Sequence, residues 1–114
     1  MIYNNILEAM GHTPMIRLNH MVEEDSAQVL AKFEGLNVGG SIKTRTAYNM
    51  LKDAKERGLI KDDTIIVEPT SGNQGIGLAL VAAVEGYHVR ILMPDSVSEE
   101  RRKLMRHYLS LIHI

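Results

Sequence analysis

Short apolar runs alternate along the chain with longer amphipathic or wholly apolar stretches, and their order predicts an α/β protein. Met15-Ile16-Arg17-Leu18 reads as a strand, as does Gln28 to Glu34, where Val29, Ala31 and Phe33 share one face at the two-residue period. Ile42 to about Arg57 puts Ala47, Met50 or Leu51, and Ala54 on one side of a helix, with Ser41 placed to cap it and Gly58 to stop it. Thr64 to Val67 is a strand. Gln74 to Glu85, ended by Gly86, is a helix apolar nearly all round, the pattern of a helix buried between layers on the face of a parallel sheet. Val89 to Met93 is a further strand, Pro94-Asp95 a turn, and Ser98-Glu99-Glu100 a helix start with acids near the positive dipole end. In the first ten residues Asn5 as cap, Glu8 three positions later and then Gly11 predict a short helix. This succession specifies an open, mostly parallel sheet with flanking helices and right-handed crossovers.

Composition narrows the partner classes. The 114 residues suffice for one modest domain, and 45% hydrophobic with 24% charged is ordinary globular usage. A formal charge of -1, from 13 basic and 14 acidic residues, supplies no field for nucleic acid or anionic lipid. No apolar run reaches the ~18 residues of a membrane span, and the start lacks a basic region followed by a hydrophobic core, so the cytoplasm is the expected location. With no cysteine, disulfides, thiolate metal sites and a cysteine nucleophile are excluded, and the five histidines lack metal-like spacing. Arg101-Arg102-Lys103 with Arg106 reads as a solvated helix face.

Two loops carry the chemistry. In an open parallel sheet ligands bind beyond the carboxyl ends of the strands, and Gly39 to Lys43 and Thr70 to Gly77 both open helices at that edge. The first carries Lys43 two residues after the expected cap. There the positive dipole end and partial burial disfavour an ammonium, which makes Lys43 a candidate Schiff-base lysine. The second, after Ile65-Ile66-Val67, offers the hydroxyls of Thr70 and Ser71, the Asn73 amide and backbone N–H groups at a helix N-terminus, which suits an anion. Gly72, Gly75 and Gly77 do not have the spacing of a dinucleotide fingerprint.

At these loops, in Asn37-Val38-Gly39-Gly40-Ser41-Ile42-Lys43-Thr44-Arg45 and Glu68-Pro69-Thr70-Ser71-Gly72-Asn73-Gln74-Gly75-Ile76-Gly77, the sequence resembles the fold type II (β-family) pyridoxal-phosphate enzymes, and among them cysteine synthase (O-acetylserine sulfhydrylase) and its relatives. Gly11-His12-Thr13-Pro14, Gly86-Tyr87, Met93-Pro94 and Ser98-Glu99-Glu100-Arg101-Arg102 extend the resemblance over residues 4 to 108. It implies that Lys43 holds pyridoxal 5'-phosphate as a Schiff base and then removes the substrate α-proton, and that Asn73 hydrogen-bonds the cofactor's ring oxygen. Thr70, Ser71, Gly72, Asn73 and Gln74 would hold the substrate carboxylate. The implied reaction eliminates a β-leaving group from an activated serine such as O-acetylserine and adds sulfide to make cysteine. The implied partners are that substrate, sulfide, a second copy in a homodimer, and the C-terminal peptide of serine acetyltransferase.

Three positions depart from the pattern: Val38 stands for a usual Pro, Thr44 for Asp, and Gln74 for Thr, the last leaving the substrate open. Family members continue through a larger domain that supplies the phosphate-binding turn. Residues 1–34 are therefore expected to be a segment that packs on that domain, 35–108 the smaller domain with both loops, and 109–114 a non-native tail, the whole an N-terminal fragment inactive alone. Alternatives that keep the same residues are a cystathionine β-synthase, a serine/threonine dehydratase or an O-phosphoserine sulfhydrylase. A non-catalytic module binding a carboxylate or peptide end is a further one.

Overall fold

A computed structural model describes residues 1–70 and 72–108. Ser71 and the tail 109–114 lie outside the described residues. The elements are β1 (Met15–Arg17), β2 (Leu30–Lys32), α1 (Lys43–Glu56), β3 (Ile65–Pro69), α2 (Asn73–Glu85), β4 (His88–Leu92) and α3 (Glu99–Tyr108), with 3-10 turns at Glu34–Leu36 and Val38–Gly40. β3 and β4 pair in parallel, from Ile65 opposite His88 to Pro69 opposite Leu92, with α2 as their crossover. β1 and β2 form a separate antiparallel pair centred on Ile16 opposite Ala31.

The wholly apolar stretch behaves as its pattern requires. Gly75 through Ala82 are all buried in α2, which lies between α1 on one side and Val89 and Ile91 of β4 on the other. α1 and α2 run side by side in the same direction: Ala47 lies beside Gly77, Leu51 and Val81 line one small cavity, and Lys55 Nζ meets Glu85 Oε2 at 3.2 Å. Gly77 permits this approach, since a Cβ there would stand 2.7 Å from the Lys43 carbonyl oxygen. α2 ends at Gly86, whose left-handed φ of 76° lets its N–H and that of Tyr87 both reach the Ala82 carbonyl.

Two expectations change. The first ten residues form turns, not a helix: Asn5 Oδ1 accepts from the N–H groups of Leu7 (2.9 Å) and Glu8 (3.3 Å), while the Glu8 carboxylate reaches back to Asn4, one residue earlier than a capping box needs. Gly11, at φ 94°, follows before a stable helical turn can propagate. The turn nevertheless delivers Leu7 into the apolar cluster of α1 and α2. The second strand shrinks to Leu30–Lys32, although Leu18 N–H to Val29 and Phe33 N–H to Pro14 prolong its hydrogen bonding at both ends. Ile65 and Val67, on the face of β3 away from α2, are about half exposed, at 52% and 51%.

Candidate active site

The bend before Lys43 is tied at both ends. Asn37 is buried; its Oδ1 accepts from the N–H groups of Gly11 (2.9 Å) and Val38 (3.0 Å), and its Nδ2 donates to Glu34 Oε2 (3.1 Å). Thr44, fully buried, donates from Oγ1 to the Val38 carbonyl at 2.5 Å. Between them Gly39 adopts φ 78°, with its Cβ position 2.3 Å from Thr44 Oγ1, so no side chain fits there. Ser41 does not stand at the cap position itself, which Ile42 occupies, but its Oγ accepts from Lys43 N–H at 3.2 Å. Lys43 is the first residue of α1. Its carbonyl packs on Gly77, while its side chain is exposed, so the described residues do not supply the expected partial burial.

Glu34 anchors this region. Arg45 meets it bidentately, Nε to Oε2 at 2.9 Å and Nη2 to Oε1 at 3.0 Å, and Thr13 Oγ1 adds a bond to Oε1 at 2.5 Å. The Arg45 bonds first, then Thr13, hold the Glu34 carboxyl down from its ordinary 4.5 to about 2. A depressed carboxyl pKa makes the folded state bind fewer protons than the unfolded one. Its stabilisation is therefore present above about 4.5 and is lost as pH falls toward about 2. In acid titrations followed by circular dichroism, Glu34→Gln is expected to flatten the loss of stability between those pH values. An acid limb as steep as that of the parent would show that the network does not carry it.

The second loop leaves β3 with Thr70 N–H still on the ladder, donating to Leu92 at 2.8 Å. Thr70 Oγ1 accepts from Gly72 N–H (3.1 Å), and Gly72 stands at the cap of α2, its carbonyl accepting from Gly75 at 3.1 Å. Gly72 has no side chain to cap the helix, and the N–H groups of Asn73 and Gln74 have no acceptor among the described residues. Around the Cβ direction of Gly72 the nearest atoms are Arg101 Nη1 at 3.8 Å and Thr70 Oγ1 at 4.0 Å. Arg101 thus overhangs the loop instead of only facing solvent, and Arg102 turns back to donate to the Asp95 carbonyl. Asn73 is exposed. The Gln74 amide turns toward α1, with Nε2 3.5 Å from Met50 Sδ and Oε1 buried without a partner among the described residues.

Because α1 and α2 run in the same direction, their N-termini lie at one end, and Lys43, Asn73 and Gln74 come to that end together with Thr70 and Gly72. A primary amine on one helix start beside a glycine, amides without an acceptor among the described residues and a positive dipole end on the other is a donor set that fits a carbonyl cofactor and a carboxylate. This is the chemistry of pyridoxal phosphate with an amino-acid substrate. Thr13, Glu34, Asn37, Thr44 and Arg45 tie down the bend before Lys43, a role that sequence reading assigns to none of them. Asn37, Thr44 and Arg45 lie in the lysine motif, but nothing in a linear pattern marks Glu34 as their acceptor.

Known proteins resemble this chain along nearly all of its length. A cysteine synthase of Flavobacterium sp. is 50% identical over 108 residues, 95% of this chain and 35% of the relative. A cystathionine beta-synthase of Apis mellifera is 49% identical over 102 residues, 88% of this chain and 20% of the relative. The crystal structure of cysteine synthase from Entamoeba histolytica superposes with a TM-score of 0.92 at 36% identity, covering 100% of this chain and 35% of that one. The chain spans about a third of the length of the cysteine synthases it matches. No helix among the described residues is long and apolar enough to cross a membrane. The model of one family, pyridoxal-phosphate dependent enzyme, matches from residue 6 to residue 113, and with both motif loops inside that match the chain belongs to the pyridoxal-phosphate dependent enzymes.

Proposed function

We propose that this chain contributes the lysine and substrate-carboxylate parts of a cysteine synthase-type site, for β-replacement on an activated serine such as O-acetylserine with sulfide. The observation that carries the reading is the placement of Lys43 and of the start of α2, where Gly72 brings no side-chain cap, at one end of two parallel helices. Pyridoxal phosphate, when bound, supplies the electron sink that stabilises a carbanion at the substrate α-carbon. Lys43 would hold the cofactor through Nζ, and the same amine, when free, would accept the substrate α-proton. The Asn73 amide would hold the cofactor by donating to its ring oxygen. Thr70, Gly72, Asn73 and Gln74, with Ser71 by its place in the motif, orient the substrate carboxylate at the positive end of α2. The likeness to cysteine synthases supports sulfide as nucleophile, while that to a cystathionine beta-synthase supports a thiol amino acid on the same residues.

A homodimer, serine acetyltransferase's C-terminal peptide as a ligand of the carboxylate loop, a cytoplasmic location and a division of the chain at residue 34 belong to the same proposal. The separate β1–β2 pair supports the division, whereas Leu7 in the α1–α2 cluster ties the two parts together.

Incubation with pyridoxal 5'-phosphate, borohydride reduction and peptide mapping tests the lysine. The label is expected at Lys43 and is expected to fall to background there in Lys43→Ala. A label that instead favours another lysine, or is spread evenly over all six, overturns the assignment.

A further inference from the structure

Lys43 is exposed, on a flexible stem, after a bend whose glycines Gly39 and Gly40 both have positive φ. An amine that must meet one carbonyl carbon gains from a fixed root, and displacement of a reacting group by about 1 Å costs rate steeply. On the side of the chain's beginning the apolar cluster contributes Leu7 but none of the residues that bound the bend. The polar network supplies that root, and it draws on three separate stretches: Gly11 and Thr13, Glu34 with Asn37, and Arg45 in the first turn of α1.

Resting on the reading of Lys43 given above, we infer that Glu34 is a positioning residue for that amine, holding the Val38–Ser41 bend and the first turn of α1 against residues 11–13 through Asn37 and Arg45. Both carboxylate oxygens are used twice, Oε1 by Thr13 and Arg45 and Oε2 by Arg45 and Asn37, so the carboxylate is saturated and its position is set from both sides. Asn37 passes that order on by accepting from the N–H of Gly11 and of Val38 with one oxygen. Thr44 closes the other end of the bend on the Val38 carbonyl. Thr13, Glu34, Asn37 and Arg45 all lie outside the apolar cluster, so the device acts on the bend without supplying the core.

The test labels the whole 114-residue chain with pyridoxal 5'-phosphate and borohydride and reads Lys43 against Lys52, on the same helix, as an internal standard. Glu34→Gln is expected to lower the Lys43-to-Lys52 ratio roughly tenfold at unchanged helix content. Glu34→Asp, which keeps a carboxylate, is expected to recover most of that loss, a rescue that a general loosening of the fold would not show. If Glu34→Gln loses its helix content, Thr13→Val, which removes one contact only, is read in the same way and is expected to shift the ratio in the same direction. A folded Glu34→Gln chain with the parental ratio overturns the inference. A parent chain with no preference for Lys43 overturns the underlying reading instead, so the two failures are distinct.

Discussion

Replacing Gly77 with Val is expected to force α1 away from α2 and to cost about 3 kcal/mol of stability, the upper part of the range for overpacking a filled interior. A Cβ at this position would meet the Lys43 carbonyl oxygen at 2.7 Å, its carbonyl carbon at 3.0 Å and the Ala47 Cβ at 3.2 Å. Two of these three atoms are backbone, so no rotamer change relieves the clash and one helix must move. The contact is also where the two halves of the proposed site meet, because the residue displaced is Lys43 itself. Urea unfolding followed by far-UV circular dichroism should show a lower midpoint, and pyridoxal-phosphate labelling of Lys43 should fall with it. A midpoint equal to the parent's would mean that α1 and α2 do not pack through Gly77.

The second large effect is expected from Met105→Ala. Met105 is the one buried residue of α3 among those described, with no exposed area, and its Cε lies 3.1 Å from the Cβ position of Gly75. Gly75 thereby leaves a notch in α2 that a methionine fills, a use suited to its flexible, polarisable side chain. Leu104, the other aliphatic residue of the helix, is 38% exposed and offers little in replacement. Truncation should cost about 3 kcal/mol, within the range for emptying a buried methionine site. The loss should be local: hydrogen exchange is expected to quicken across residues 99–108 while β3, α2 and β4 keep their protection. Simultaneous opening of α2 and α3 at the same denaturant concentration would instead make them one cooperative unit. Because Arg101 of α3 overhangs Gly72, release of this helix would also uncover the start of α2.

Legibility differed between elements for reasons that can be traced to particular residues. α2 was readable because eight successive buried positions leave no polar face, and glycines at its C-terminus and after α1 marked both helix ends. The first turn misled because Asn5 and Glu8 have the spacing of a capping box. The choice between a turn and a helix was made by which backbone N–H the Glu8 carboxylate found. Asn73 and Gln74 could be placed at a helix start from the motif. The inward turn of the Gln74 amide, toward a methionine two helical turns along another element than its own, could not.

By itself the sequence determined the strand–helix order after residue 40, the all-round burial of α2, the family, and the two loops that bring a lysine and a glycine-rich helix start into the same protein. All of these follow from local periodicity, turn chemistry or contiguous motifs, which are properties of neighbours in the chain. Only the tertiary structure decided that Glu34 holds Arg45 and Asn37 beside Thr13, that Gly77 is the contact on which Lys43 rests, and that Met105 fills the space left at Gly75. Each of these pairs residues far apart in sequence, and their partners are chosen by distance and unfilled volume once the helices have packed.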